Sequence, residues 1–520
     1  MRLVYAPPSS IGKFGSDTDN WVWPRHTGDF SVFRIYADKN NRPASYSPEN
    51  VPYHPDYYAP VSLNGYREGD FCMTFGYPGE TERYMSSYGV EERMLTDNAA
   101  MIKIRGIKQK IWKEAMEKSD SIRIMYAAKY AVSSNYWKNS IGMNQSIRNL
   151  GVIEKKRELE NRIQQWIKEK PAERGQYAHM LTDLELAYRN RRNMRHAAAF
   201  FSESFANAPE LILQALAILN LDVSNENPNL EKDFRNILET YNNLDLSIDK
   251  KVFSTMLKVY KEEVQDTLYL PAGYRVLNER FHNDYDAYTE YIYHESKLTG
   301  PEGLALVLKQ DSTYNLFEDP AVSFTLDMIV KFYEFNAEMS TSTETIDRNE
   351  RLLNTALRDM QTERNFYPDA NSTMRLSYGI VGGYSPSENL RYDYFTTTQG
   401  IFDKVKRYKG DSDFDVQPEL LEMLSKREFG RYAAPDGEMN VCFISNNDIT
   451  GGNSGSGMFN GRGELIGLAF DGNWEAMSSD LIYEPNLQRC IGVDIRYMLY
   501  MMENYGKADR LIKELSLVKE

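Results

Sequence analysis

The sequence predicts an α+β protein in which one large helical block is inserted into a single β architecture. Three observations predict it. Alternating, Pro- and Gly-punctuated β text fills about the first 80 residues; helical periodicity with few prolines follows to about residue 370; β text then resumes near 375. Two β pieces flanking one helical block read as an insertion rather than as domains in tandem. The expected divisions are 1–81, 82–372 and 373–520.

The elements follow in chain order. Asp29–Tyr36 (DFSVFRIY) alternates and is rich in β-formers, and Tyr66–Tyr77 reads as a turn leading into a strand. Helices are expected over Ile147–Lys168, Pro171–Phe205, Asp249–Thr267 and Ile346–Phe366. The charge runs among them, such as EKKRELENR, read as solvated helix faces. Strands return at Met374–Tyr384, Val441–Ile444, Glu464–Phe470 and Cys490–Ile495, and Arg496–Lys519 reads as a closing helix.

Bulk properties narrow the function classes. A chain of 520 residues can hold two or three domains with large cores. A net charge of -14 and a pI near 5.2 argue against a general nucleic-acid binder. No apolar run reaches membrane-spanning length, and the first residues contain no apolar core of signal-peptide length. The three cysteines (Cys72, Cys442, Cys490) lie far apart without metal-ligand spacing. No metal or cofactor is expected, and the redox state of these thiols stays open.

The stretch that carries chemistry is Gly451-Gly452-Asn453-Ser454-Gly455-Ser456-Gly457, between two apolar strands. A serine oxygen becomes a nucleophile when a base takes its proton and N–H groups receive the oxyanion. Glycines let the chain turn tightly enough to aim the N–H groups of Gly452 and Ser454 at one point. A plain Gly/Ser/Asn hairpin turn would read the same way. The layout resembles the nucleophile loop of chymotrypsin-like peptidases, with asparagine where aspartate usually precedes the serine. Asp29, opening an upstream strand, fits the carboxylate that orients the base in the His, Asp, Ser order. The base is missing from that order. His26 is the only upstream histidine, and its spacing of three from Asp29 points the two side chains to opposite faces of an extended segment. The expectation is a chain that lacks its N-terminal part and, with it, the base and most of its activity.

Two longer motifs sharpen the resemblance: Gly15–Phe30 (GSDTDNWVWPRHTGDF) and Phe470–Met477 (FDGNWEAM). They resemble hallmarks of bacterial serine dipeptidyl-peptidases of the dipeptidyl-peptidase 7 and 11 type, and the similarity covers essentially the whole chain. The resemblance implies a chymotrypsin-like double β-barrel, its first barrel incomplete here, with an inserted helical domain capping the cleft. It implies removal of dipeptides from oligopeptides with free N-termini, a homodimer, and a periplasmic or secreted address. By the same resemblance Asp29 orients the base, Ser454 is the nucleophile, and Asn20, Trp21, Asn135 and Asp471 bind the substrate amine. Gly472, 18 positions after Ser454, would line the pocket for the second substrate residue. In that family glycine there accompanies bulky apolar preference and arginine accompanies Asp or Glu, which places this chain nearer the dipeptidyl-peptidase 7 branch. A non-catalytic peptide-binding relative and a chymotrypsin-like endopeptidase are the alternatives.

Overall fold

A computed structural model describes residues 1–221, 229–308 and 314–519; the parts of the expected helical block at 222–228 and 309–313 lie outside the described residues. The chain divides into two compact units, Met1–Arg83 with Tyr367–Glu520, and Tyr84–Phe366.

The first unit is organised by its sheets. β1 (Arg2–Tyr5) pairs antiparallel with β2 (Val32–Arg34), and β3 (Tyr36–Ala37) with β4 (Val51–Pro52). The main sheet draws on β5 (Val61–Ser62), β6 (Phe71–Gly76) and β7 (Arg375–Ile380). After the small hairpin of β8 (Tyr384–Ser387) and β9 (Leu390–Tyr392), it gains β10 (Phe395–Thr397) and β11 (Asn440–Ser445). β12 (Gly457–Phe459), β13 (Leu465–Gly472), β14 (Cys490–Asp494) and β15 (Leu517–Val518) complete it. The path runs β10-β11-β14-β13-β12-β6-β7, with β5 parallel to both β13 and β15 at its side. β11 and β14 are buried along their whole length, which is why they read as short continuous apolar runs. One core gathers Val441, Cys442, Ile444, Ile491 and Val493 with the C-terminal segment; a smaller one gathers Cys72, Phe443, Met458, Ile466 and Cys490.

The expected double β-barrel is not what these strands form. The sheet is mixed and open, and β7 and β10 are its two ends. It curls until Val381, just past β7, bridges Ser445 at the end of β11. Around that bridge the Gly382 N–H donates to the Ile444 carbonyl at 3.2 Å, the Asn446 N–H to the Ile380 carbonyl at 3.1 Å, and Asn446 Oδ1 accepts from the Ile380 N–H at 2.7 Å; the contact stops there, and no named strand pairing shuts a cylinder. The closing helix also differs. A helix spans Ile495–Tyr500, widens into a π-turn at Met501–Tyr505 and stops at Gly506; after a short turn of helix the chain ends in β15.

The second unit is helical among its described residues. Asp120–Asn149 and Val152–Glu169 are separate helices, because Gly151 takes a left-handed φ of 58° where a single helix was expected to begin at Ile147. Pro320–Met360 is one helix of 41 residues, capped by Asp319, whose carboxylate accepts from the Ala321 and Val322 N–H groups. Its core is built on Phe200, Phe205, Phe253, Tyr260 and Phe324. No helix among the described residues is long and apolar enough to cross a membrane.

Candidate active site

The serine segment forms a tight loop leading into β12. Gly452 has φ 104°, and a Cβ there would overlap the Tyr77 carbonyl, so only glycine fits. Gly455, with φ 85°, donates its N–H to the Ala469 carbonyl at 2.7 Å, and Ala469 returns its own to Ser456 at 2.9 Å. These bonds tie the loop to β13. Asn453, at 2% exposure, packs underneath and donates its Nδ2 to the Thr450 carbonyl at 3.1 Å. Ser454 is exposed, and neither its hydroxyl nor the N–H groups of Gly452 and Ser454 has a partner among the described residues. Two backbone donors and a serine oxygen left open at one glycine turn are the nucleophile and oxyanion parts of an acyl-transfer site, to which a base must be added.

Two residues beyond Ala469 on β13 stands Asp471, its side chain 7% exposed. Its Oδ1 accepts from the Gly472 N–H at 2.9 Å. Its Oδ2 accepts from the Trp21 N–H at 3.1 Å and from Arg25 Nη1 at 2.5 Å. Trp21 reaches this position by adopting φ 63°, a left-handed backbone that a bulky residue rarely takes. An ionised carboxylate has about four lone-pair directions; with three in use, about one stays available to a ligand. Asn20 is half-buried beside Trp21 in the chain. Gly472 is buried, and a Cβ on it would touch the Trp21 ring and the Ala476 Cβ, each at 3.4 Å, which is ordinary contact. The position therefore accepts a Cβ. Asn135 belongs to the helical unit, half-buried on the helix Asp120–Asn149.

Asp29 lies three residues before β2, its side chain open to solvent and without a hydrogen bond to any described residue. Protein packed behind it raises its pKa, Arg25 and Lys13 lower it, and the charge of Asp471 raises it. Asp29 and Asp471 therefore sit within electrostatic reach of each other, with Arg25 acting on both. The sequence reasoning missed Arg25. Its place inside the Trp23-Pro24-Arg25-His26 run was the only signal.

His26 is not placed as a base. It is 6% exposed, its ring lies against Gly400, where a Cβ would overlap the imidazole, and its Nδ1 is buried without a partner. Burial, with Lys404 and Arg25 nearby, pushes its pKa down to about 3. It is neutral in the fold above about pH 3. Because the unfolded chain binds this proton below about 6.5 and the fold does not until about 3, stability falls as pH drops through that window. His26→Gln is expected to leave kcat within a few-fold and its pH dependence unchanged, while losing less stability than the native protein between pH 7 and pH 4. Paired pH–rate profiles and thermal melts check this. A loss of several orders in kcat with an intact fold would make His26 the base after all.

Comparison with known proteins adds the following. A family model described as Peptidase S46 matches residues 1–517. Dipeptidyl-peptidase 7 of Porphyromonas endodontalis is 45% identical over 525 residues, which is all of this chain and 63% of that protein. An Asp/Glu-specific dipeptidyl-peptidase of Capnocytophaga gingivalis is 38% identical over all of this chain and 73% of its own length. The crystal structure of Porphyromonas endodontalis DPP11 in complex with the dipeptide Arg-Glu superposes with a TM-score of 0.89 at 34% identity. That match covers 99% of this chain and 74% of the other. The chain thus spans just under two thirds of the first relative's length and about three quarters of the other two.

Proposed function

The chain belongs to the peptidase S46 family, and from that premise we propose that it is a serine dipeptidyl aminopeptidase acting on oligopeptides with free N-termini. The observation that carries this reading is the Ser454 loop tied to β13, the strand that also carries Asp471. In the proposed reaction the Ser454 oxygen attacks the second carbonyl of the substrate, and its proton passes to a histidine base that Asp29 would orient, a base that is part of the proposal and that no described residue supplies beside Asp29. The N–H groups of Gly452 and Ser454 stabilise the oxyanion. The imidazole then protonates the leaving amine, and water releases the dipeptide from Ser454 in a second round of the same steps. Asp471, Asn20 and the Trp21 segment hold the substrate's ammonium, so the enzyme counts two residues from a free end. A charge-assisted hydrogen bond to a sheltered carboxylate is of the strong kind.

Within this proposal Gly472 sets the second-residue preference. Glycine adds neither bulk nor charge beside the Trp21 ring, so an apolar side chain gains about 25 cal/mol for each Å² removed from water. A carboxylate entering there would be desolvated without a partner, which is costly. The relatives include one named for Asp/Glu specificity and one that is not, so the family alone leaves the preference undecided. Gly472→Arg is expected to move relative kcat/KM toward Asp or Glu, since the site admits a Cβ and arginine offers a fork that fits a carboxylate. Dipeptidyl reporters differing only in the second residue test this; a native preference for Asp or Glu would refute the assignment. A homodimer and a periplasmic or secreted address belong to the same proposal. Solution mass and cell fractionation test the two.

A further inference from the structure

The guanidinium of Arg25 is buried beside Asp471 and held through its Nε and Nη1 groups. Nη1 donates to Asp471 Oδ2 at 2.5 Å and to the Asp19 carbonyl at 2.8 Å. Nε donates to Thr27 Oγ1 at 2.9 Å, and that hydroxyl donates onward to the Phe14 carbonyl at 2.7 Å. One face lies over the Phe470 ring, 5.2 Å from its centroid. Behind Arg25, its own carbonyl accepts from Thr396 Oγ1 at 2.6 Å. The Arg25 and Asp471 side chains are each only 7% exposed. A surface arginine would have none of these constraints. A buried arginine held through Nε and Nη1 and packed on a ring has little freedom to reorient, and the partner it holds in place is Asp471.

We propose that Arg25 is the positioning residue of the amine site: it fixes the Asp471 carboxylate against the Trp21 N–H and the turn into Gly472, and it screens Asp471 from Asp29. The inference rests on the roles given above to Asp29 and Asp471. A lone buried carboxylate would draw an ammonium strongly but would also repel Asp29 and swing toward any nearby donor. Paired with Arg25 it keeps about one lone pair directed at the ligand and contributes orientation rather than excess charge. The groups that act on Asp29 are Arg25, Asp471 and Lys13; those around Arg25 are Asp471, Asp29, Lys404, the neutral His26 and the buried Cys442 thiol, which burial holds protonated. Removing the cation leaves Asp471 facing Asp29 with Lys13 alone to offset it, so the acid limb of kcat/KM should move to higher pH.

The test compares Arg25→Lys and Arg25→Met in the protein expressed from its complete gene, with free-amine dipeptidyl reporters. Arg25→Met is expected to lower kcat/KM at least tenfold, mainly through KM, and to shift its acid limb up by about one pH unit. Arg25→Lys is expected to restore the limb, because the charge is back, while KM stays raised because the fork is lost. Labelling of Ser454 by a small fluorophosphonate, which has no amine to bind, reports whether the site is still assembled and should proceed in both variants. If Arg25→Met does not fold, the double variant Arg25→Met/Asp471→Asn removes both charges and should fold; its acid limb should then sit where the native one does. Native KM and an unmoved limb in Arg25→Met would overturn the proposal, as would a double variant no better folded than the single. Failure of the function itself reads differently: Ser454→Ala would then still turn over the reporter.

Discussion

Ser454→Ala, in the protein expressed from its complete gene, is expected to reduce dipeptide release by a factor on the order of 10⁶ in kcat, to the level left by the remaining oxyanion donors and binding. The size follows from the role. The hydroxyl is the atom that forms the acyl bond, and no other described group replaces it at the Gly452–Gly455 turn. The substitution should cost almost no stability, because Ser454 is exposed and its hydroxyl has no partner among the described residues. Stopped assays on dipeptidyl reporters, alongside thermal melts of both proteins, check the two halves together. A variant that melts like the native protein but keeps more than about a thousandth of its turnover would remove Ser454 from the chemistry.

Asp471→Asn should act on stability and recognition at once. It leaves the Arg25 guanidinium buried without its counter-charge, and breaking a buried pair in this way costs about 3–5 kcal/mol. The melting temperature should fall accordingly. For the fraction that folds, free-amine substrates should lose more in kcat/KM than N-acetylated ones, which never engaged the carboxylate. The gap between the two substrate types should therefore narrow. Thermal unfolding and paired kinetics on free and acetylated reporters measure both effects. An unchanged gap would take Asp471 out of amine recognition and favour an endopeptidase; an unchanged melting temperature would contradict the buried pair.

What the sequence could show depended on the range of the interaction. Val441–Ile444, Glu464–Phe470 and Cys490–Ile495 were legible because their apolar runs are dictated locally by strands of the core. The Ser454 loop was legible because its glycines state their own backbone requirement, and Gly452 takes the positive φ that only glycine tolerates there. Helix limits were less legible. Gly151 sits in a periodic stretch and interrupts it, and the segment from Arg496 keeps helical periodicity through a π-turn that stops at Gly506. Barrel closure was not legible at all, since it depends on how far the curl carries Val381 toward Ser445. Arg25 escaped notice for the same reason: its partner Asp471 lies 446 positions away, and nothing local marks the pair. The spacing of three between His26 and Asp29 separates only those two side chains. What occupies His26 instead, Gly400 and the charges of Lys404 and Arg25, comes partly from distant chain.

The most direct measurement is the site of covalent capture. A dipeptidyl phosphonate with a free amine and an apolar second residue should inactivate the protein expressed from its complete gene, with one adduct per chain. Peptide mapping by mass spectrometry should place that adduct on Ser454. N-acetylation of the reagent should slow capture sharply. An adduct on any other residue, or equal capture of free and acetylated reagents, would contradict the assignment of Ser454 as the nucleophile of an amine-anchored dipeptidyl-peptidase.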